Sequence, residues 1–115
     1  MEFKELNTRV LKWAENKGIL SNTTPLKQLM KTKEEVDELQ EAIFAQKNNI
    51  EYFVNSKDLV SKTSIELEDA IGDVFVTLLI QCELQNLEPL KCLNTALNVI
   101  ENRKGIMVDG VFVKK

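Results

Sequence analysis

Two short acidic stretches hold the residues of this chain best suited to chemistry: Lys33-Glu34-Glu35-Val36-Asp37-Glu38-Leu39 and Glu66-Leu67-Glu68-Asp69-Ala70-Ile71-Gly72-Asp73. Five acids fall between residues 34 and 41 with no Lys or Arg among them. On a helix, like charges three or four residues apart repel by a few tenths of a kcal/mol per pair. A divalent cation with oxygen ligands would offset that cost. Glu35 and Glu38 are three apart and lie on one side of a helix, separated by roughly 60°. Asp69 and Asp73, four apart, also share a side, as do Glu66 and Asp69. Two antiparallel helices, each presenting such a pair, bring four carboxylates to one point, as metal-binding bundles do. An oxygen-only ligand set selects Mg²⁺ or Mn²⁺ over zinc. The plainer reading is a solvated acidic face, with Lys31–Glu35 and Lys33–Asp37 as i,i+4 pairs. In both the Lys precedes the acid, the weaker orientation.

The chain contains no histidine. Ser-His and Cys-His nucleophilic machinery, HExxH zinc chemistry and a histidine phosphocarrier are therefore excluded. An enzyme built from this sequence must use a carboxylate, a Lys, a Tyr or a metal-bound water as its base.

The elements that position these acids read as helices. Phe3, Leu6, Val10, Trp13 and Ala14 form a stripe at helical spacing over about Phe3 to Lys17, and Gly18 is placed to end it. Ser21 to Pro25 form a break, with Thr24 as N-cap and Pro25 in the first helical position. The second helix extends to about Gln46, with Leu29, Val36, Leu39 and Ile43 as its packing stripe. Residues 47–64 are less regular, and Ile50 to Val54 read as a short helix or a packed turn. The third helix, about Thr63 to Asn86, carries Leu67, Ala70, Ile71, Val74, Phe75, Leu78, Leu79 and Cys82 on one side. Val76 and Ile80 make its middle apolar nearly all round, so it is expected to be covered on both sides, by a second subunit. Glu88-Pro89 starts a fourth helix with Leu90, Leu93, Ala96, Leu97 and Ile100 facing inward, ending near Lys104-Gly105. Two β-prone runs around Asp109-Gly110 predict a closing hairpin.

Composition sets the outer bounds. At 115 residues, with 43% hydrophobic and 29% charged, this is one globular domain spanning 1–115. A net charge of −3 and a pI near 5.1 argue against binding a nucleic acid polymer. No apolar run is long enough for a membrane span, and the first residues lack a signal-peptide layout. Cys82 and Cys92 read as reduced, buried small hydrophobes, and the expected location is cytoplasmic.

At its acidic motifs the chain resembles the MazG-like nucleotide pyrophosphohydrolases of the all-α NTP pyrophosphatase superfamily. Glu34-Glu35-Val36-Asp37-Glu38 fits the EExxE motif of that family. Ala70-Ile71-Gly72-Asp73 fits the Gly and Asp of its second motif, usually E-L-G-D, with Ala70 in the Glu position. Asp69, or Glu66 one turn further back, would replace that Glu. Val10 to Gly18 is similar to the first helix of phage and bacterial MazG-like proteins, and Asn98 to Gly105 with Met107 to Lys114 to their C-terminal segment. The resemblance implies an all-α antiparallel bundle of about four main helices with a C-terminal β-hairpin, completed as a homodimer or homotetramer. It implies hydrolysis of a nucleoside triphosphate to a monophosphate and pyrophosphate, with Mg²⁺ as cofactor (Mn²⁺ as its substitute). Glu35, Glu38, Asp69 and Asp73 would hold the metal, and Glu34 or Glu35 would orient or deprotonate the attacking water. Arg103 and Lys104 would grip phosphate oxygens, Asn98 would contact sugar or phosphate, and Trp13 would stack on the base. The plainer roles are favourable charge at a helix C-terminus for Arg103 and Lys104 and core packing for Trp13. Two other classes stand beside the enzyme: a relative that binds nucleotides or a protein partner without turnover, having lost the ligand at Ala70, and a structural helical oligomer.

Overall fold

The computed structural model describes all 115 residues. The first helix, α1 (Phe3–Asn16), stops where Lys17 N–H caps the Trp13 carbonyl and Gly18 takes φ +76°, the left-handed conformation that glycine adopts without strain. A single-turn helix, α2 (Ile19–Asn22), lies in the expected break. Helix α3 (Pro25–Lys47) begins as its sequence requires, with Pro25 in the first turn and Thr24 Oγ1 accepting from Lys27 N–H at 3.2 Å.

The chain then departs from expectation. Tyr52 to Val54 form a strand, β1, paired antiparallel with β2 (Val60–Lys62). Local chemistry explains this hairpin. Tyr, Phe and Val favour extended backbone, and Asn55 closes the turn by accepting from Lys57 N–H at 2.9 Å and Leu59 N–H at 3.2 Å. Helix α4 (Thr63–Leu84) follows without a gap, its start tied to Glu51 by the Thr63 N–H at 2.8 Å.

Helices α3 and α4 form the centre of the structure, and α1 packs on α4. Gln81 Nε2 donates to the Pro25 carbonyl at 2.9 Å and Gln28 Nε2 to the Thr77 carbonyl at 3.1 Å. Positions rise along α3 as they fall along α4, so the pair is antiparallel. The buried apolar residues are Ala14, Ala42, Ala45, Ala70 and Ile80, and four of the five are alanines that permit close helix approach. The seam face of α3 is Gln28, Glu35, Glu38, Ala42 and Ala45. Leu29, Val36 and Ile43, expected to pack, are turned toward solvent. Hydrophobic spacing misplaces the face because the polar side chains there have partners: Gln28 across the seam on Thr77, Glu35 on Lys31 of its own helix, and Glu38 on Ser56 and Lys57 of the hairpin.

Helix α5 (Pro89–Ile100) ends earlier than expected and leads into β3 (Gly105–Val108) and β4 (Val111–Lys114). Asp109 and Gly110 both have positive φ, 49° and 81°, which is the I′ turn that matches hairpin twist. The fold is thus mostly α with two small hairpins, of which the sequence foretold the second.

Within one chain α5 does not take its expected place. None of its residues is buried, and Leu90, Leu93, Leu97 and Ile100, expected to face inward, are exposed, as are Ile71, Phe75 and Leu78 along α4. The surface totals 8957 Å², whereas a folded monomer of 13.1 kDa exposes about 6,400 Å². The radius of gyration, 16.7 Å, likewise exceeds the roughly 13 Å of a compact chain this long. No helix is long and apolar enough to cross a membrane.

Candidate metal centre

Midway along the α3–α4 seam, carboxylate oxygens of Glu35, Glu38 and Asp73 all lie within 4.8 Å of one another. Glu35 is 5% exposed and Glu38 7%, while Asp73 is half-buried. Glu35 and Glu38 come from one face of α3, and the antiparallel register brings Asp73 of α4 level with them.

Like charges this close and this dry are costly unless compensated. Compensation is incomplete. Lys31 Nζ lies 3.4 Å from both Glu34 and Glu35, and Lys57 Nζ lies 3.5 Å from Glu38. Ser56, beside Lys57 on the β1–β2 turn, donates its hydroxyl to Glu38 at 3.5 Å and its N–H to Glu41 at 3.2 Å. Oε2 of Glu35 is buried and has no hydrogen-bond partner. Burial, then the close Glu38 carboxylate, raise the Glu35 carboxyl above its ordinary range, against the pull of Lys31. Burial and then the Asp69 charge raise Asp73, with Lys57 opposing and Glu38 and Glu66 adding. Burial pulls both lysines down, but the neighbouring carboxylates outweigh it and leave Lys31 and Lys57 raised.

Three converging oxygen donors on two packed helices, one with an orphaned buried oxygen, fit a hard divalent cation. The other expected residues fall around this centre unevenly. Asp69 is exposed one turn before Asp73, outside the triad, and Glu66 is half-buried two turns before it; both charges act on Asp73. Ala70, at 1% exposure, lies in the seam. Glu34 is on the solvent side of α3, held by Lys31.

Trp13, 48% exposed, stands beside the triad. It lines a groove of about 360 Å³ with Lys27, Gln28, Lys31, Glu35 and Asp73, and a second, shallower one with Arg9, Val10 and Asp73. Such a volume suits a small-molecule ligand. Asn98, Arg103 and Lys104 lie instead on the exposed α5–hairpin arm and line neither groove.

In the sequence Lys31 stands out only as a helix-surface pair, and neither Lys27 nor Lys57 carries a signal. The Lys31–Glu35 spacing was legible; Lys57 was not, because a hairpin delivers it to the acids from nineteen positions beyond Glu38. Cys82 and Cys92 are free and half-buried. Comparison with protein families, with curated proteins and with solved structures returns no match to this chain.

Proposed function

We propose that this chain is a Mg²⁺-dependent nucleoside triphosphate pyrophosphohydrolase whose centre is Glu35, Glu38 and Asp73. The observation that carries this reading is the buried, unpartnered oxygen of Glu35 within a triad of carboxylates beside an open groove. The motif resemblance supports it, and the oxygen-only donor set favours Mg²⁺, with Mn²⁺ as a substitute.

A bound divalent cation would supply charge neutralisation for a triphosphate and polarise its phosphoryl oxygens. The chain's own residues do the rest. Trp13 offers an aromatic face to the base in the groove. Lys27 and Lys31, in that groove, offer ammonium groups to phosphate oxygens. Water attacks a phosphorus of the α–β anhydride, the bridging P–O bond breaks to give a monophosphate and pyrophosphate, and the water's proton goes to a carboxylate, Glu34 or Glu35. Glu34 is open to the solvent that supplies the water; Glu35 lies inside the triad. Glu34→Gln separates the two: lost turnover with retained metal binding assigns the proton to Glu34. Asp69 supplies the fourth carboxylate from one turn away, in place of the Glu that Ala70 replaces.

We also propose that the chain works as a homodimer or homotetramer. The surplus surface, about 2,500 Å², matches the large interfaces of obligate oligomers, and the exposed apolar residues of α3, α4, α5 and the C-terminal hairpin contribute to it. Asn98, Arg103 and Lys104 contact phosphate only if assembly carries the arm to a partner's groove. A second reading, nucleotide binding without turnover, is favoured by one observation: the triad holds three acids, with Ala70 where a fourth would stand.

The test is pyrophosphate release from a panel of ribo- and deoxyribonucleoside triphosphates with Mg²⁺, with Mn²⁺ and with EDTA. Metal-dependent release of pyrophosphate and a monophosphate is expected. Release of orthophosphate instead would refute the assigned bond, and metal-dependent binding without any release would favour the second reading.

A further inference from the structure

The β1–β2 turn places a positive charge at the edge of the acidic triad. Lys57 Nζ lies 3.5 Å from Glu38. Glu38 in turn has a carboxylate oxygen within 4.8 Å of those of Glu35 and Asp73. This placement is built by other residues. Asn55 accepts from the backbone of Lys57 and Leu59 and donates to Ser61 Oγ at 3.1 Å, fixing the turn. Asp58 adopts φ +58°, which lets the chain reverse immediately after Lys57. The Ser56 N–H to Glu41 bond tethers the turn to α3. Only the side chain of Lys57 is free, with half of its surface in solvent.

Building on the proposed metal centre, we propose that Lys57 is a tethered counter-cation. It neutralises the triad while no divalent cation is bound, gives way when one enters, and then turns to the phosphate oxygens of the substrate. An ammonium on four rotatable bonds can make this exchange while the turn stays fixed, since no backbone hydrogen bond has to break. Lys31 differs. It is engaged by two glutamates on its own helix, one of them outside the triad.

The exchange gives two effects of opposite sign from one substitution. Lys57→Met removes the competitor, so Mn²⁺ without nucleotide should bind at least threefold tighter by calorimetry. With Mn²⁺ saturating, an α,β-imido nucleoside triphosphate should bind about tenfold more weakly to the same variant. Lys57→Arg, which keeps the charge and the reach, should return both affinities close to wild type. The exposed position leaves the fold intact, and circular dichroism checks it. If the wild type binds Mn²⁺ and Lys57→Met binds it no more tightly, or binds the imido nucleotide equally well, the role of Lys57 is overturned and the metal centre stands. If the wild type binds no Mn²⁺ at all, both fall together.

Discussion

The α3–α4 seam and the α5 arm invert the usual rule of burial. In the seam, Gln28, Glu35, Glu38, Thr63 and Thr77 are buried, although charged groups rarely leave water unless paired. On the arm, Leu93 is 65% exposed, and Phe75 on the adjoining face of α4 is 62% exposed. The seam gives up favourable hydration, and the arm leaves apolar surface in water; neither is a stable choice for an isolated chain. Under the proposed function each would be relieved by something that binds: a cation in the seam, and a second copy over the arm. The two regions should therefore fail separately.

The largest expected effect falls on the seam. Glu38→Gln removes one donor from the triad and should lower turnover by at least about a hundredfold, some 3 kcal/mol of lost transition-state stabilisation. Helicity by circular dichroism and the oligomeric state should be unchanged. Full turnover by this variant would show that the triad is not the reacting centre.

The converse break is Leu93→Asp on α5. A charge in an apolar interface should shift the particle to the protomer mass in sizing with light scattering, while Mn²⁺ binding in the seam persists. A wild type that already elutes as a strict monomer would remove the assembly from the account and leave the exposed arm unexplained.

Asp69→Asn sharpens the seam side alone. Because Asp69 lies outside the triad, its loss should cost turnover about tenfold, less than Asp73→Asn, as expected for a ligand recruited from one turn away. Equal losses would mean that Asp69 belongs to the centre on the same footing.

Sequence patterns made one of these regions far more legible than the other. Helix starts were readable because their determinants are local: Thr24 with Pro25, Glu88 with Pro89, and Gly18 beyond α1. The Asp109-Gly110 turn was readable for the same reason. Glu35, Glu38 and Asp73 were readable within the expected set of Glu35, Glu38, Asp69 and Asp73, because i,i+3 spacing puts two acids on one side of α3 and the Gly-Asp pair fits the second motif; Asp69 falls outside the cluster. What failed was the inference from apolar stripe to packed face. On α3 the stripe of Leu29, Val36 and Ile43 faces out because the polar seam occupies the contact with α4, and periodicity alone cannot tell which face of a helix packs. The β1–β2 hairpin was missed because its strands have three residues each and its turn depends on the Asn55 side chain. With the hairpin went Lys57.

The smallest effect concerns the acidity of the seam. Burial first, and then neighbouring acids, raise the carboxyls of Glu35 and Asp73 in the folded chain. Such a group favours folding while it is protonated, and the contribution is lost as pH rises through its folded pKa. In EDTA, then, wild type should lose this stability above about pH 4, the ordinary carboxyl range. Asp73→Asn should melt about 4 °C higher than wild type at pH 7, with the gain vanishing toward pH 4. Saturating Mg²⁺ should reverse the order at pH 7 by stabilising wild type alone. A variant that melts lower in EDTA at pH 7 would mean that the triad is already neutralised by Lys31 and Lys57.

The most direct test of the central claim is an anomalous difference map from crystals grown with Mn²⁺. The account predicts a peak bounded by oxygens of Glu35, Glu38 and Asp73, with the Lys57 ammonium withdrawn from Glu38. An ordered triad with Lys57 still on Glu38 and no peak between the helices would contradict it.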